Sequence, residues 1–452
     1  MTMSTIGGMH GIVASSVGVT CAAALTLPLA LSAPAQARPQ AARTEPAAPG
    51  STQSLPLVPL SGDRSLGPDA PEQGLGRRSV RTFSLVGVVW DDPDTELRGR
   101  VQVRTRATGA NRWSGWQDIE THNHEHAADP DTAEGGSGRV RGSTAPLWVG
   151  DSDGVEVRVQ AQVDERATAA GESPLPRGMH LELVDPGAEP APRGALTGDG
   201  LAGAESAQAY ATYAANTDLA PFGAAEIPAL SRTETEREFA ALRQGAPHAE
   251  PYIGERPSIV TRRGWGADES LREGGFVYTK KVKAAFVHHT ASGNNYSCSQ
   301  APSVIRSIYR YHVVSSGWRD IGYNFLVDKC GNIYEGRAGG VSKPVMGAHT
   351  LGFNDNTMGI AVLGSFGTTK PAAASVTAIA RLTAWKLGLY GADPRGKTYL
   401  KSGGGNLYRK GKNARLNVIS GHRDGFATDC PGSLLYGKLG SARTAAARYQ
   451  GR

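Results

Sequence analysis

The chain has 452 residues, a formal net charge of +6 and 39% hydrophobic residues. These values fit two or three globular domains with some linker and argue against a wholly disordered chain. The charge is uneven, because residues 257–452 hold 27 Lys and Arg against 10 Asp and Glu, whereas residues 1–256 are net negative. A basic C-terminal half favours an anionic partner, either nucleic acid or an anionic cell-wall polymer.

The N-terminus contains an apolar run of small residues from Gly11 to Leu31. The sequence Ala35-Gln36-Ala37 then provides the small-x-small pattern that a signal peptidase requires. We therefore expect residues 1–37 to be a secretory signal that is cleaved after Ala37. A membrane anchor is the alternative, but the small polar residues of the run and Pro28 argue against it. After cleavage, the protein is expected to be secreted or associated with the cell wall, and not to be an integral membrane protein.

The next part of the chain predicts two linkers on either side of one domain. Residues 38–78 are rich in Pro, Ala, Gly and Ser, which is typical of a disordered linker. Residues 79–185 contain short runs with alternating apolar positions, such as TFSLVGVVW and VEVRVQAQV, and predict a separate antiparallel β-sandwich of unknown role. Residues 186–256 are again rich in Ala, Gly, Pro and Glu and predict a second linker, with one short helix near TETEREFAALRQ.

The predicted sandwich contains the segment THNHEHAADPD, in which His122, His124 and His126 alternate. In a β-strand, these three side chains would lie on one face and could bind a metal weakly. In a solvated loop, they would have no common role. We favour the solvated loop, because such short motifs often occur without a function.

Residues 257–452 alternate between strand and helix patterns. Buried strands are predicted at KAAFVHHTA, MGIAVLGSF and LNVISGHRD, a hairpin at IGYNFLVDKCGNIYEGR, and helices at APSVIRSIYRYHVV and SVTAIARLTAWKLGLYG. Strands that alternate with helices predict an α/β domain, with a mixed central β-sheet flanked by helices.

Removal of the signal would leave Cys298, Cys330 and Cys430, an odd number for a secreted chain. One cysteine is then free, intermolecular or bound to something. Cys430 lies eight positions after His422, and His288 ends the first strand of this domain. Three interpretations compete: a cysteine nucleophile with a histidine base, a metal site, and a structural thiol. A catalytic zinc takes three nitrogen or sulfur ligands and keeps a fourth position open, and it would also protect a thiol from oxidation.

Several motifs recur in the order found in one known family. FVHHT, GWRDIGYNFLVD, GNIYEGR, GAHTLGFN, MGIAVLGSF and GHRDGFATDCPG resemble the peptidoglycan recognition proteins and the type 2 N-acetylmuramoyl-L-alanine amidases. The resemblance covers about residues 257–440, and it includes neither the sandwich nor the linkers. A sandwich followed by such a domain is similar to secreted enzymes of actinobacterial type.

The resemblance implies a role for individual residues of this chain. His288, His422 and Cys430 would bind Zn²⁺, Tyr323 would hydrogen-bond the zinc-bound water or the developing oxyanion, and Thr428 would lie over the metal. The substrate groove would be lined by Trp318, Arg337, His349, Thr350 and Asn354. For Trp318, simple packing is an equal alternative, whereas Arg337 would meet a carboxylate of the stem peptide. Cys298 and Cys330 are expected to form a disulfide, and His289 and His312 to be structural.

We therefore expect a secreted zinc-dependent N-acetylmuramoyl-L-alanine amidase, a monomer whose partner is peptidoglycan and not nucleic acid. The alternative is a peptidoglycan-binding protein without turnover. Relatives that lack the cysteine ligand bind without cleavage, so Cys430 favours the enzyme. A Cys430 nucleophile is the rival mechanism, but it would leave His288 and Tyr323 without a role. Ala361 stands where cytosolic relatives have a glutamate, which leaves the general base unassigned.

Overall fold

The computed structural model describes residues 50–60, 72–121, 123–162, 175–189, 206–242 and 252–452. The predicted secretory signal and His122 lie outside the described residues. No helix in these described ranges is long and apolar enough to cross a membrane.

The N-terminal domain is built on one antiparallel sheet of eight strands. The strands are β1 (Ser51–Pro56), β2 (Val58–Pro59), β3 (Glu72–Trp90), β4 (Gly99–Ala107), β5 (Gln117–Ile119), β6 (Gly142–Ser143), β7 (Leu147–Ala161) and β8 (His180–Asp185). Their order is β1-β8-β3-β7-β4-β5, and β2 and β6 pair with β3. The register between β3 and β7 shifts at several points, and such bulges bend a strand. The long strand β3 pairs with β7 along most of its length and with β8 near its end.

The alternating apolar residues of these strands share one core. Phe83 of β3, Val101 of β4, Val157 of β7 and Leu181 of β8 are all buried in the same cluster. A strand points alternate side chains to one face, so this cluster collects the inward face of each strand as the sheet curves around it. The antiparallel domain that the alternation predicted is confirmed.

The C-terminal domain is built on a seven-stranded mixed sheet. Its strands are β9 (Glu226–Ile227), β10 (Ile259–Val260), β11 (Ala284–His289), β12 (Phe325–Val327), β13 (Ile333–Glu335), β14 (Thr357–Val362) and, after the separate hairpin β15 (Lys397–Lys401) and β16 (Asn413–Asn417), β17 (Ile419–Gly421). The order is β17-β11-β14-β12-β13-β10-β9. Strands β17, β11, β14 and β12 run parallel, whereas β12 and β13 form an antiparallel pair.

Helices cover both faces of this sheet. They are α1 (Ala207–Ala214), α2 (Arg232–Leu242), α3 (Ala301–Arg310), α4 (Ala373–Gly388), α5 (Ser433–Tyr436) and α6 (Leu439–Gln450). Ile360 of β14 packs in one core with Trp385 of α4, and Ala361 packs on the opposite side with Ile305 of α3. The predicted mixed sheet flanked by helices is confirmed.

The structure departs from both linker predictions. Strands β1 and β2 and the start of β3 lie within residues 38–78, and α1, β9 and α2 lie within residues 186–256. Strand β1 is held by backbone pairing with β8, which requires few large apolar side chains. This is why composition alone suggested a linker there. The short helix predicted near TETEREFAALRQ is confirmed as α2.

The two sheets belong to one compact unit and share an apolar interface. Val89 of β3 packs in the same buried cluster as Ile308 and Tyr311. Gly87 permits this approach, because a Cβ at that position would lie 2.4 Å from the Tyr311 hydroxyl oxygen. That hydroxyl donates a hydrogen bond to the Thr144 carbonyl oxygen, at 3.1 Å. The N-terminal domain is therefore packed firmly against α3 and the turn that follows it.

The disulfide between Cys298 and Cys330 closes a sequence separation of 32 residues. A loop of this length contributes about 3–4 kcal/mol in the chain-entropy model. We expect the Cys298→Ser/Cys330→Ser double variant to lose about this free energy of unfolding in guanidinium denaturation. Dithiothreitol should lower the stability of the wild-type protein by the same amount and leave the variant unchanged. An equal denaturation midpoint for variant and wild type would contradict the prediction.

Candidate metal centre

Two neighbouring parallel strands place the first two histidines of the site. His288 lies near the end of β11, and His422 follows β17 at once, in a 3₁₀ turn. Strands β11 and β17 pair in parallel, so their carboxyl ends meet at the same edge of the sheet. The two imidazole ring centroids are 4.5 Å apart.

The loop after β17 returns Cys430 to the same edge. The backbone N–H of Arg423 donates to the Cys430 carbonyl oxygen at 3.1 Å, and the backbone N–H of Cys430 donates to Thr428 Oγ1 at 3.1 Å. The backbone N–H of His289 lies 3.4 Å from Cys430 Sγ. Cys430 Sγ is then 3.8 Å from Nδ1 of His288.

A fourth candidate ligand comes from the N-terminal domain. His126 Nε2 lies 3.6 Å from Cys430 Sγ, and the His126 ring centroid is 4.5 Å from that of His422. One ligand atom from each of His126, His288, His422 and Cys430 lies within 4.8 Å of the others, and all four residues are buried. The prediction of a solvated loop is therefore wrong for His126.

Unpartnered nitrogen atoms indicate that this cluster holds a group the protein itself does not supply. Within the described ranges, neither ring nitrogen of His422 has a hydrogen-bond partner, nor does Nδ1 of His126. A buried polar atom left unpaired costs about 1–3 kcal/mol. Imidazole nitrogens and a thiolate are the ligands that zinc prefers, so the residues present fit a zinc ion.

A second layer of polar residues fixes the orientation of His288. His288 Nε2 lies 3.3 Å from His349 Nδ1 and 3.4 Å from Thr350 Oγ1. These contacts leave His288 Nδ1 facing Cys430 as the atom available to a metal. Metal-binding histidines in proteins commonly have their second nitrogen held in this way.

Burial sets the protonation of the four candidate ligands. It lowers the pKa of His126, His288 and His422 well below the usual range, with the neighbouring histidines adding to the effect. The backbone of Glu125 approaches the His422 ring and opposes this shift, although without full hydrogen-bonding geometry. Burial raises the pKa of the Cys430 thiol well above its usual range. The imidazoles are thus neutral and ready to ligate, whereas the thiol loses its proton when a cation binds.

Tyr323 and Thr428 lie beside the cluster. The Tyr323 ring centroid is 5.6 Å from that of His288, and burial raises the pKa of Tyr323 well above its usual range, so its hydroxyl remains a donor. Thr428 Oγ1 donates to Glu125 Oε1 at 2.6 Å. Ala361 pairs in register with His288 and brings no carboxylate to this point of the sheet.

Three of the residues expected in the substrate groove instead support the ligands. His349, Thr350 and Asn354 are buried in the loop before β14. Asn354 Oδ1 accepts hydrogen bonds from the backbone N–H groups of His349 and Thr350, at 2.7 and 3.1 Å. Since His349 and Thr350 both contact His288, this loop positions a candidate metal ligand.

Trp318 is buried and stacks on His312, with ring centroids 4.3 Å apart. His312 Nδ1 accepts a hydrogen bond from the backbone N–H of Gly322 at 3.3 Å. In this structure Trp318 therefore packs and does not line an open groove, which corresponds to the alternative considered for it.

Arg337 meets a carboxylate, but that carboxylate belongs to its own chain. Its guanidinium makes a bidentate ion pair with Glu134 of the N-terminal domain, at 2.7 and 2.9 Å, and both side chains are buried. The sequence analysis missed Glu134 and set aside a metal role for His126, because both residues lie in a loop of the other domain. The alternating HNHEH segment was the one available signal, and nothing in it indicates a partner 304 positions away.

Comparison with known proteins matches each domain to a known family. Residues 34–178 match the model of the Rv3811 N-terminal galactose-binding domain-like family, and residues 278–433 match that of N-acetylmuramoyl-L-alanine amidase. Peptidoglycan-recognition protein SC2 of Drosophila simulans is 32% identical over 184 residues, which are 40% of this chain and 84% of that protein. Peptidoglycan recognition protein 3 of Homo sapiens is 35% identical over 122 residues, which are 27% of this chain and 34% of that protein.

Among solved structures, wild-type Drosophila PGRP-LB is 26% identical with a TM-score of 0.32, over 40% of this chain and 92% of that chain. On the sequence matches, this chain belongs to the family of peptidoglycan recognition proteins and type 2 N-acetylmuramoyl-L-alanine amidases.

The ligand set predicts the metal content of two variants. We expect the wild-type protein to retain about one zinc ion per chain after dialysis, because a site with at least three protein ligands binds tightly. His288→Ala/His422→Ala should lose most of this zinc, because only two candidate ligands remain, as measured by plasma mass spectrometry on protein whose fold is checked by circular dichroism. His180→Ala, which removes a histidine of the N-terminal domain outside the cluster, should retain it. Full zinc content in His288→Ala/His422→Ala would contradict the assignment.

Proposed function

We propose that this protein is a secreted zinc-dependent N-acetylmuramoyl-L-alanine amidase, which hydrolyses the amide bond between N-acetylmuramic acid and L-alanine in peptidoglycan. The observation that carries the proposal is the buried cluster of His288, His422 and Cys430 beside Tyr323, in a domain that belongs to the amidase family. Peptidoglycan is the substrate because the relatives are named for its recognition.

The chemistry requires a strong nucleophile and stabilisation of negative charge, because an amide is unreactive. A zinc ion bound by His288, His422 and Cys430 would polarise the carbonyl group and lower the pKa of a water molecule to about 7. The protein holds these ligands ready, since His349 and Thr350 orient His288 and the imidazoles are neutral.

Tyr323 supports the transition state in this proposal. Its hydroxyl stays protonated at neutral pH, so it can donate a hydrogen bond to the carbonyl oxygen as that oxygen gains negative charge. A donor that is held in place before the reaction needs no reorganisation when the charge develops. The loss of one such donor typically costs about 2.7–4 kcal/mol.

Two further observations support secretion and a cell-wall partner. The Cys298–Cys330 disulfide is typical of proteins that fold in an oxidising compartment. The excess of Lys and Arg in residues 257–452 favours attraction to an anionic cell-wall polymer. Both features agree with a secreted, wall-associated protein, for which the apolar segment before Ala37 would be the signal.

A peptidoglycan-binding protein without turnover is the second candidate. The observation that favours it is His126, because a fourth protein ligand would fill the position that a catalytic zinc keeps open. The two candidates share a substrate and differ only in whether the amide bond is broken.

Hydrolysis of purified sacculi separates the two candidates. We expect the protein to produce a clear band in a zymogram, to lose it with a chelator and to recover it with added zinc. Mass spectrometry should find glycan strands without peptides and peptides with a free L-alanine amino group. Binding to sacculi with no released peptide in any state of the protein, including the variants described below, would favour the non-catalytic candidate.

The role of Tyr323 predicts a selective kinetic defect. Tyr323→Phe should lower kcat by about 10²–10³, because one donor to the transition state is lost, whereas KM and zinc content should change little. Steady-state kinetics on a soluble muropeptide would measure this effect. Tyr399→Phe, which alters an exposed tyrosine, is the matched control. An unchanged kcat in Tyr323→Phe would remove this residue from the mechanism.

A further inference from the structure

We propose that residues 123–137 form an intramolecular plug that keeps the metal centre latent, with His126 as a fourth metal ligand and three carboxylates in the cleft. The proposal rests on the metal centre of the proposed function and adds to it a regulatory role for the N-terminal domain. The plug lies between β5 and β6 and contains no helix or strand.

The number of candidate ligands in the cluster indicates a closed metal site. Catalytic zinc sites in proteins have three protein ligands and an open position for water or substrate, whereas sites with four protein ligands are closed. His126, His288, His422 and Cys430 provide four ligand atoms within 4.8 Å of one another. Within the described ranges Nδ1 of His126 has no partner, and Nε2 faces Cys430 Sγ, another candidate ligand atom, at 3.6 Å.

Three acidic side chains of the plug contact polar residues of the C-terminal domain. Glu125 accepts a hydrogen bond from Thr428, at 2.6 Å. Asp129 Oδ1 accepts from the side chain of Asn354 at 2.8 Å.

Glu134 forms the bidentate ion pair with Arg337. Thr428 and Arg337 are residues that the family resemblance implies for the catalytic cleft, whereas Asn354 lies in the loop that supports His288. The plug therefore presents an acidic chain to the polar groups that an acidic stem peptide would meet.

The plug leaves little room for a substrate beside the candidate metal ligands. The cavity that remains beside Cys430 has a volume of about 10 Å³, room for one water molecule. Glu125 and His126 of the plug line it together with Tyr323 and Thr428. A sugar linked to a peptide cannot enter while the plug is in place, so the substrate has to displace it.

The plug is attached in a way that permits displacement. None of the described residues from 123 to 137 belongs to a hydrophobic core of the molecule. Apart from the ring contacts of His124 with Phe426 and of His126 with Tyr323, the contacts described for it are polar, whereas the domain interface around Tyr311 has an apolar core of its own. The segment can therefore leave the cleft while both domains remain folded and packed together.

The opposite role is also chemically possible and is an outcome of the test. Because Ala361 leaves the strand without a carboxylate, Glu125 would then complete the catalytic site. If the plug is inhibitory, its removal raises activity in proportion to the fraction of open molecules. If it is catalytic, its removal lowers activity.

The test uses the full-length chain loaded with Co²⁺, whose visible absorption reports the ligands of the metal. The His126→Ala/Glu134→Gln variant is compared with wild type and with His180→Ala/Asp131→Asn. The control removes a histidine of the same domain and an exposed plug carboxylate, which pairs with Lys410 at the surface. Azide is added as a small anion that binds only to an open metal position. Glu134→Gln alone, which leaves the metal centre intact, covers the case in which the double variant folds poorly.

The plug predicts that azide shifts the spectrum of the double variant and, at higher concentration, that of Glu134→Gln, but not that of wild type or control. It also predicts that kcat/KM for a soluble muropeptide rises by about tenfold or more in the double variant. An azide shift in wild type and variant alike, a shift in neither, or a fall in kcat/KM would overturn the plug. A shift confined to the variants without any hydrolysis would instead retain the plug and reject the amidase.

Discussion

The whole arrangement depends on the burial of two neutral imidazoles and a thiol. Their polar atoms do not all find hydrogen-bond partners among themselves. The parallel pairing of β11 with β17 brings His288 and His422 to one sheet edge, and the loop after β17 adds Cys430. Burial in this place costs free energy unless a cation binds, because nitrogen atoms remain without partners. Binding of a cation here would therefore join the fold and the metal into one energetic unit.

The N-terminal domain is part of the same unit. Its packing around Tyr311 fixes where the loop between β5 and β6 can reach. His126 of that loop lies at the metal centre. The apolar interface and the polar plug contribute differently to the contact between the two domains. The interface holds the domains together, while the plug is held by hydrogen bonds, the Glu134–Arg337 ion pair and His126, which are polar contacts that substrate or water can replace.

Local pattern was enough to predict most of the fold. Alternating apolar positions predicted the antiparallel sheet, helical spacing predicted α3 and α4, and the strand ends placed His288 and His422 near each other. The edge strand β1 was not predicted, because a strand held by backbone pairing needs no distinctive amino-acid composition. The burial of His126 in the ligand cluster was not predicted, because its environment is created by residues of another domain. A buried site built across domains cannot be predicted from the pattern of one segment.

The central claim is that the metal has one sulfur and three imidazole ligands drawn from both domains. X-ray absorption spectroscopy at the zinc edge of the purified full-length protein tests it most directly. The account predicts one sulfur at about 2.3 Å and three histidine nitrogens at about 2.0–2.1 Å. A spectrum without sulfur would contradict the metal centre itself. One sulfur with only two imidazoles would contradict the ligation by His126.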